Sequence, residues 1–354
     1  MKKTFKFLVL ATLVSLVLVA CGGNGTTETE AKDPGFKAII VLDTGGVDDK
    51  SFNESTWDGV QKFIADNGLD KNAFEYITSP DEASYVNNLE TAAEKADLVI
   101  AVGFLFEKAI AEVAPKYEDT EFLFIDGFVE NIPNLHSTTF ADEQGSYLVG
   151  LIAGARSKAD GSNKVGFVGG MEFDTILAFQ AGFEAGVWET NPDAEIFVDY
   201  LGSFVDTTLA GQVASRMYND GVNIIYHAAG DAGNGVITEA KNFDDKYVIG
   251  VDKDQYEAGK SQGEDSVVIT SMLKGVDVAA YDFLEEFYVN KKITTGVYNF
   301  DVANDGIRAE ISEGRNLDAD EIALIKDYMA KIVSGEVTVS RTPEITGASG
   351  TKAK

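Results

Sequence analysis

Short apolar runs alternate with amphipathic stretches along most of the chain, from residue 37 to residue 334. The apolar runs are typical of strands buried on both faces of a parallel sheet, and the stretches between them have the period of a helix. The predicted strands are 37–43, 73–78, 97–103, 121–126, 136–141, 164–169, 194–200, 222–227, 247–251 and 267–272. The predicted helices are 51–67, 82–95, 105–116, 142–158, 174–190, 206–219, 231–243, 275–290 and 318–334. This alternation predicts an α/β fold with doubly wound parallel sheets.

The pattern begins again after residue 140, which indicates two similar lobes in series. Residues 164–170 (KVGFVGG) read as another first strand with a glycine turn. A helix at 275–290 and an extended segment at 298–302 come after the strands of the second lobe, and a chain that crosses between the lobes three times accounts for both. Such a hinge leaves a cleft that can close on a ligand. The alternative is a single larger α/β enzyme with a decorated sheet.

Roughly 320 residues exceed what one hydrophobic core organises, which also favours two lobes. The three crossings make each predicted lobe discontinuous in sequence. Residues 36–140 with 274–296 are assigned to an N-terminal lobe, and residues 141–273 with 297–345 to a C-terminal lobe. Residues 346–354 are predicted to be a flexible tail.

The first twenty residues have the three parts of a secretory signal peptide. Lys2, Lys3 and Lys6 precede an apolar stretch that ends in a lipobox at residues 18–21 (LVAC). This motif predicts that Cys21 carries a lipid as the first mature residue, and that the polar residues 21–35 are a flexible tether. The alternative, a membrane-spanning helix, needs about 20 apolar residues, and only about 14 are present.

The composition argues against several kinds of catalytic site, metal site and binding partner. Cys21 is the one cysteine of the chain, so disulfides, thiolate catalysis and cysteine-ligated metals are not expected once it is acylated. The formal net charge of −29 argues against nucleic acid or an anionic lipid surface as a partner. The two histidines, His136 and His227, lie in or at the end of predicted strands without a G-x-S-x-G or phosphate-binding motif. We therefore expect no catalytic residue, no metal and no cofactor.

Polar residues follow the predicted strands, at the sheet edge where open α/β folds bind ligands. Asp43, Asp126, Gly230 and Asp252 each come after an apolar run, and Lys274 follows the last one. An ionised carboxylate can accept two hydrogen bonds at once, which suits neighbouring sugar hydroxyls or the N–H edge of a base. A lysine there can donate to the same hydroxyls.

One aromatic residue stands close to a strand end in each predicted lobe. Phe52 lies in the first turn of a helix that Ser51 and Glu54 are expected to begin as a capping box, and Phe204 takes the corresponding place in the second lobe. Two facing rings favour a flat ring as their guest. The alternative is that both rings are hydrophobic staples, that Asp43 and Asp49 only cap the helix, and that Lys274 is a solvated lysine at a helix start.

Several of these motifs occur together in one family. They are the lipobox and residues 43–53 (DTGGVDDKSFN), 164–170 (KVGFVGG), 202–204 (GSF), 229–230 (AG), 250–254 (GVDKD) and 273–274 (LK). With them the chain resembles the basic membrane protein family (PnrA-like), lipoproteins that are the substrate-binding subunits of nucleoside ABC transporters. The resemblance implies the type I periplasmic-binding-protein fold, with two doubly wound parallel-sheet lobes joined by a three-stranded hinge.

The resemblance also implies a purine nucleoside in the cleft and a role for each residue around its base. Phe52 and Phe204 would stack on the two faces of the base. Asp126 would read the base edge, and Asp43 and Asn53 would complete the polar wall.

The remaining implied contacts go to the sugar. Asp252, Lys274 and the backbone around Gly230 would hold the ribose hydroxyls. The implied partners are the nucleoside and an ABC transporter permease with its ATPase. The chain is expected to be a monomer on the extracytoplasmic face of the cell membrane, anchored by the lipid on Cys21.

Three other functions are compatible with the same scaffold. A surface receptor or adhesin would use it to present a face to another protein, and a sugar-binding protein would use similar stacking. A nucleoside hydrolase or phosphorylase would need a general acid or a calcium site, and the sequence shows no convincing candidate for either.

Overall fold

The apolar runs become strands that are buried on both faces of two sheets. The structure, a computed structural model, describes residues 31–261, 265–290 and 296–352. The predicted signal peptide and Cys21 lie outside these residues.

The predicted elements are present, together with short strands at the sheet edges. Within the described residues the strands are β1 (Ala38–Leu42), β2 (Phe74–Thr78), β3 (Leu98–Val102), β4 (Glu121–Ile125), β5 (Leu135–Phe140), β6 (Lys164–Gly169), β7 (Glu195–Tyr200), β8 (Ile224–Ala228), β9 (Tyr247–Asp252), β10 (Val268–Lys274), β11 (Val297–Phe300), β12 (Ile307–Ala309) and β13 (Ser349–Gly350). The α-helices there are α1 (Phe52–Asn67), α2 (Tyr85–Ala93), α3 (Glu107–Val113), α4 (Asp142–Ala159), α5 (Asp174–Thr190), α6 (Thr207–Asn219), α7 (Gly233–Ala240), α8 (Val276–Asn290) and α9 (Ala319–Ser334).

The two sheets repeat one topology. The first has the strand order β11-β5-β4-β3-β1-β2, and its neighbouring strands are parallel. The second has the order β12-β10-β9-β8-β6-β7-β13, with β12 and β13 antiparallel at its edges. The doubly wound order 2-1-3-4-5 therefore occurs once in each sheet. This confirms the predicted pair of similar α/β lobes.

Each sheet is covered by helices on both faces. In the first lobe, Ile40 on β1 packs towards α1 and α8, and its neighbour Ile39 packs towards α2 and α3. In the second lobe, Phe167 on β6 faces α4 and α5, and Val168 faces α6 and α7. Successive strand residues point to opposite faces, so unbroken apolar runs are needed to bury both.

The chain crosses between the sheets three times, as predicted, but two boundaries differ. Lys274 was assigned to the first lobe, but it ends β10 of the second sheet. The crossings follow β5, β10 and β11. The predicted boundary at residue 297 is wrong for β11, which pairs with β5 and so extends the first sheet. The predicted flexible tail also needs correction at Ser349 and Gly350, because β13 pairs with β7. The extended segment at 298–302 was predicted, but a four-residue strand gives no signal of which sheet it joins. The two residues of β13 are too few to show a period in the sequence.

Candidate functional site

One cleft lies where the carboxyl ends of the two sheets face each other. It is lined by the eight residues predicted from the sequence: Asp43, Phe52, Asn53, Asp126, Phe204, Gly230, Asp252 and Lys274. Its empty space, including the opening to solvent, is about 560 Å³. The ends of β1 and β3 in one sheet, and of β6 and β8 in the other, are the points where the winding direction reverses. Open α/β sheets bind ligands at such switch points.

Asp49, rather than Ser51 and Glu54, supplies the side chain that caps the first turn of helix α1. Its carboxylate accepts the backbone N–H groups of Ser51 at 2.8 Å, Asn53 at 2.9 Å and Glu54 at 3.0 Å. The predicted capping box is therefore wrong, and the alternative that Asp49 caps the helix is correct. Ser51 instead donates its hydroxyl to Asp252 in the other lobe. Burial raises the pKa of Asp49 to about 7, even though these three N–H groups oppose the shift.

Asn53 is held in one orientation by two carboxylates. Its Nδ2 donates to Asp43 Oδ1 at 2.7 Å and to Asp49 Oδ2 at 3.2 Å. Its buried Oδ1 has no hydrogen-bond partner among the described residues. Burial raises the pKa of Asp43, and the hydrogen bond from Asn53 opposes this. Asn53 Oδ1 is thus available to accept a hydrogen bond from a ligand, whereas its Nδ2 group already donates to the two carboxylates.

Aromatic side chains from both lobes surround the cleft. Phe52 comes from α1, Phe104 from the loop after β3, Phe179 from α5 and Phe204 from the loop after β7. The rings of Phe104 and Phe204 meet across the lobes at 6.0 Å between centroids, in an edge-to-face arrangement. The sequence predicted Phe52 and Phe204 but missed the other two. Phe104 follows a strand and a glycine, a signal that could have found it.

Close backbone packing places Phe204. A Cβ atom on Gly170 would lie 2.3 Å from its ring, so only glycine fits there. Gly230 has φ of +55°, a conformation that glycine adopts without strain, and its Cα hydrogens face Phe204. The glycine turns after β6 and β8 therefore leave room for this ring at the edge of the cleft.

Lys274 is buried at the hinge between carboxylates of both lobes. Its ammonium lies 2.8 Å from Asp126 and 2.9 Å from Asp142. The ring centroids of Phe52 and Phe179 are 5.5 Å and 5.1 Å from the same nitrogen. Burial lowers the pKa of Lys274, but attraction to the two aspartates outweighs it, and the net pKa is raised. Lys274 is therefore charged and joins the first lobe to the second.

The aspartates around Lys274 also have raised pKa values, but in their case burial is the cause. Burial raises the pKa of Asp126 and raises that of Asp142 to about 7, with Lys274 opposing both shifts. Burial also raises the pKa of Asp252 to about 6, against the hydrogen bond from Ser51. Sequence reasoning missed Asp142, because it stands at a helix start rather than at a strand end.

Four side chains of the second lobe form hydrogen bonds or ion pairs with residues at the start of α1. Asn234 donates to the carbonyl of Asp49 at 2.9 Å, and Gln255 donates to the carbonyl of Lys50 at 3.0 Å. Lys253 pairs with Glu54 at 2.7 Å and Asp58 at 2.6 Å, and Asp252 accepts the hydroxyl of Ser51. These contacts hold the lobes together beside the cleft, so the structure is a closed one. We call Asn234, Lys253 and Gln255 with their partners the interlobe latch.

The histidines lie away from the cleft. His227 is fully buried in β8, and burial lowers its pKa to about 4, so the ring is neutral. His136 lies beside Glu121 at 2.8 Å in the first sheet. Among the described residues no group of histidine, cysteine and carboxylate side chains is arranged to hold a metal ion. In the same part of the chain, the helices are too short or too polar to cross a bilayer.

Two doubly wound lobes, three crossings and a cleft at both switch points define a type I periplasmic binding protein. More specifically, the chain belongs to the family Bmp, described as ABC transporter substrate-binding protein PnrA-like, which matches residues 36–342. It is therefore a substrate-binding protein of an ABC transporter and not an enzyme. The family and the fold predicted from the sequence are confirmed.

Individual relatives cover nearly the whole chain. It is 39% identical to the CD4+ T-cell-stimulating antigen of Listeria innocua, over 97% of this chain and 99% of that protein. It is 32% identical to the ABC transporter nucleoside-binding protein BmpA of Lactococcus lactis subsp. cremoris, over 91% and 94%. A solved ABC transporter solute-binding protein from Aeropyrum pernix K1 matches with a TM-score of 0.75 and 26% identity, over 88% of this chain and 94% of that one.

Proposed function

We propose that the chain binds nucleosides, purine nucleosides in particular, in the cleft and delivers them to an ABC transporter permease. The observation that carries this proposal is the set of aromatic rings that both lobes place around a cleft with buried carboxylates. A base stacked on an aromatic ring gains about 1–3 kcal/mol, and a cleft lined by Phe52 and Phe204 offers one ring from each lobe. The relative in Lactococcus lactis is named a nucleoside-binding protein, which supports the same ligand class.

The polar groups of the cleft suit the two ends of a nucleoside. Asn53 Oδ1 is an acceptor for a base N–H group, and Asp43 and Asp126 are further acceptors nearby. Asp252 takes one hydrogen bond from Ser51 and has a second oxygen for a ribose hydroxyl. Two stacked faces and two or three charge-assisted hydrogen bonds support affinity of about −8 kcal/mol, or micromolar, after the costs of association.

Calorimetric titration of the chain from residue 22 onward tests the ligand class. The panel is adenosine, guanosine, inosine, cytidine, uridine, adenine, ribose and glucose, titrated into protein that has been unfolded and refolded to remove carried-over ligand. We expect nucleosides to bind in the micromolar range and ribose or free adenine to bind far more weakly. Phe52→Ala is expected to weaken nucleoside binding about 10- to 100-fold through the lost stacking.

Two variants and two outcomes complete the test. Asp252→Asn is expected to weaken nucleosides but not free adenine, because it changes a proposed ribose contact. Tyr76→Ala, which removes an exposed ring in the first lobe away from the cleft, is the matched control for Phe52→Ala. If glucose or ribose is the only ligand that binds, the proposed ligand class changes from nucleosides to sugars. If the folded protein binds nothing in the panel, the proposed ligand class is wrong, and another ligand or a receptor role takes its place.

We also propose that a lipid on Cys21 anchors the chain, as a monomer, to the extracytoplasmic face of the cell membrane. The lipobox at residues 18–21 supports this proposal. Growth of an expressing bacterium with a clickable fatty acid should label the full chain in the membrane fraction, and Cys21→Ser should abolish the label. Equal labelling of both proteins would contradict the anchor. Size-exclusion chromatography with light scattering tests the monomer.

A further inference from the structure

A second cavity adjoins the cleft on the side of the hinge. Residues 139–141 and 299–301, which belong to two of the hinge segments, line it together with Arg341. Its empty space, including the opening to solvent, is about 860 Å³. Asp126 and Thr175 line both this space and the cleft, so the two meet at these residues. We call this space the hinge cavity.

The hinge cavity lies on the same sheet edge as the cleft. The cleft receives residues from the ends of β1, β3 and β4, and the hinge cavity receives residues from the ends of β4, β5 and β11. These strands are consecutive in the order β11-β5-β4-β3-β1. Because ligands of open α/β sheets bind outside the carboxyl ends of the strands, the ligand-facing edge continues two strands beyond the cleft.

The side chains of the hinge cavity favour a neutral, polar guest. Thr139 donates its hydroxyl to Asn299, and both groups keep further capacity for hydrogen bonds. Arg341 is already paired with Glu143 at 2.5 Å, and the Asp301 carboxylate accepts backbone N–H groups of its own turn. Carboxylates outnumber the one guanidinium here, so a phosphate or another anion would be repelled. A hydroxyl or amide group would find both donors and acceptors.

We propose that the hinge cavity receives a neutral polar substituent of a nucleoside whose base and ribose occupy the cleft. The inference rests on the proposed function, and it extends the ligand class to nucleosides modified at the end that faces Asp126. Asp126 is the proposed reader of the base edge, so a substituent on that edge would pass Asp126 and Thr175 into the hinge cavity. In the opposite ligand orientation, a substituent on the 5′ oxygen would take the same path.

The test compares adenosine with N6-(2-hydroxyethyl)adenosine and 5′-O-(2-hydroxyethyl)adenosine by calorimetric titration. We expect one of the two derivatives to bind the unaltered protein within about tenfold of adenosine, because the cavity accepts its added group. Asn299→Trp places a large ring in the hinge cavity. It is expected to weaken that derivative by at least about tenfold through steric clash and to leave adenosine within about twofold.

A control variant separates filling of the cavity from disturbance of the strand. Val297→Trp changes a residue on the same face of β11 that does not line the hinge cavity, and it should leave all three affinities unchanged. Binding of adenosine with rejection of both derivatives would overturn this inference alone. Equal weakening of adenosine and derivative by Asn299→Trp would also overturn it. If adenosine and the other parent nucleosides do not bind at all, the proposed function fails as well.

Discussion

Two aspartates with unusual backbone conformation stand at corresponding points of the two lobes. Asp126 follows β4 and Asp252 ends β9, and these are the fourth strands of the two repeated units. Their φ angles are +69° and +67°, in a region that few residues other than glycine occupy. Such strain costs about 1–3 kcal/mol and is most often kept at functional sites. Both carboxylates line the cleft, which supports a binding role repeated by the two halves of the fold.

Lys274 gives the sharpest prediction at the scale of single residues. Lys274→Met would leave Asp126 and Asp142 buried without their cation, and removing one partner of a buried ion pair costs about 3–5 kcal/mol. We expect a loss of this size in the free energy of unfolding, measured by urea denaturation at pH 8, above the pKa of Asp142. Adding Asp142→Asn to the same variant should recover part of the loss. A single variant that stays within about 1 kcal/mol of the original protein would contradict a structural role for the pair.

At the scale of elements, continuous apolar runs made most of the fold predictable. Strand β6 and helix α5 begin and end at the predicted residues, because burial on both faces leaves a run that polar loops interrupt sharply. Strands β12 and β13 were missed, since two or three residues carry no period. The start of α1 was predicted to within one residue, but the capping side chain was misassigned because Asp49 and Ser51 both suit a cap. The choice between them depends on Asp252, which is 201 positions away in the chain.

The same limit applies to the site. The strand-end rule placed Asp43, Asp126, Gly230, Asp252 and Lys274 in one cleft, because the carboxyl ends of parallel strands share an edge. The paired aromatic residues Phe52 and Phe204 were predicted beside them, and Asn53 was implied by the family resemblance. The partners of these residues could not be predicted, since Asn234 and Gln255 meet the first lobe only when the two lobes close. Phe179 lines the cleft and Asp142 pairs with Lys274, and both lie on helices, where the strand pattern gives no signal.

The interlobe latch gives a prediction for these elements. Asn234→Ala and Gln255→Ala each remove one hydrogen bond between the lobes, and neither residue lines the cleft. Each also removes hydrogen bonds within the second lobe, to Asp231 and from Val251 respectively. We expect each variant to weaken nucleoside binding about 3- to 10-fold, as the loss of about 0.5–1.5 kcal/mol implies. The dissociation rate should rise for every nucleoside alike, and fluorescence transfer between labelled lobes should report a more open protein.

Asn242 provides the control for the latch. Its side chain donates to Glu239 within the same lobe, so Asn242→Ala should change neither the affinity nor the distance between the lobes. An altered order of preference among the bases in Asn234→Ala or Gln255→Ala would point to direct contact with the ligand and contradict the latch.

At the scale of the whole molecule, the acid surplus extends into the interior. The chain has 58 acidic and 29 basic residues. These counts predict a negative net charge, but they do not predict which acidic side chains are buried. The structure buries Asp49 at the cleft, Asp142 beside Lys274 and Glu184 beneath the C-terminal segment. Burial raises the pKa of each to about 7. Glu184 accepts the backbone N–H groups of residues 344 and 345 at 2.7 Å and 3.3 Å.

These buried carboxyl groups predict an inverted dependence of stability on pH. In the unfolded chain they titrate near their ordinary values of 3.8 and 4.5, whereas in the folded protein Asp49, Asp142 and Glu184 hold their protons up to about pH 7. Between these limits the folded state binds more protons, so the free energy of unfolding falls as pH rises through this window and levels off above it. The lower negative charge at acid pH acts in the same direction.

Thermal unfolding followed by circular dichroism at constant ionic strength checks this dependence. The melting temperature should be higher at pH 6 than at pH 8, and Glu184→Gln should reduce the difference, because glutamine keeps the acceptor oxygen without titrating. The same change at Glu107, which is exposed on α3, is the control and should leave the difference intact. A melting temperature that rises from pH 6 to pH 8 would mean that the buried carboxyl groups are ionised throughout this range. Lys274 and the hydrogen bonds around Asp49 and Glu184 would then outweigh burial.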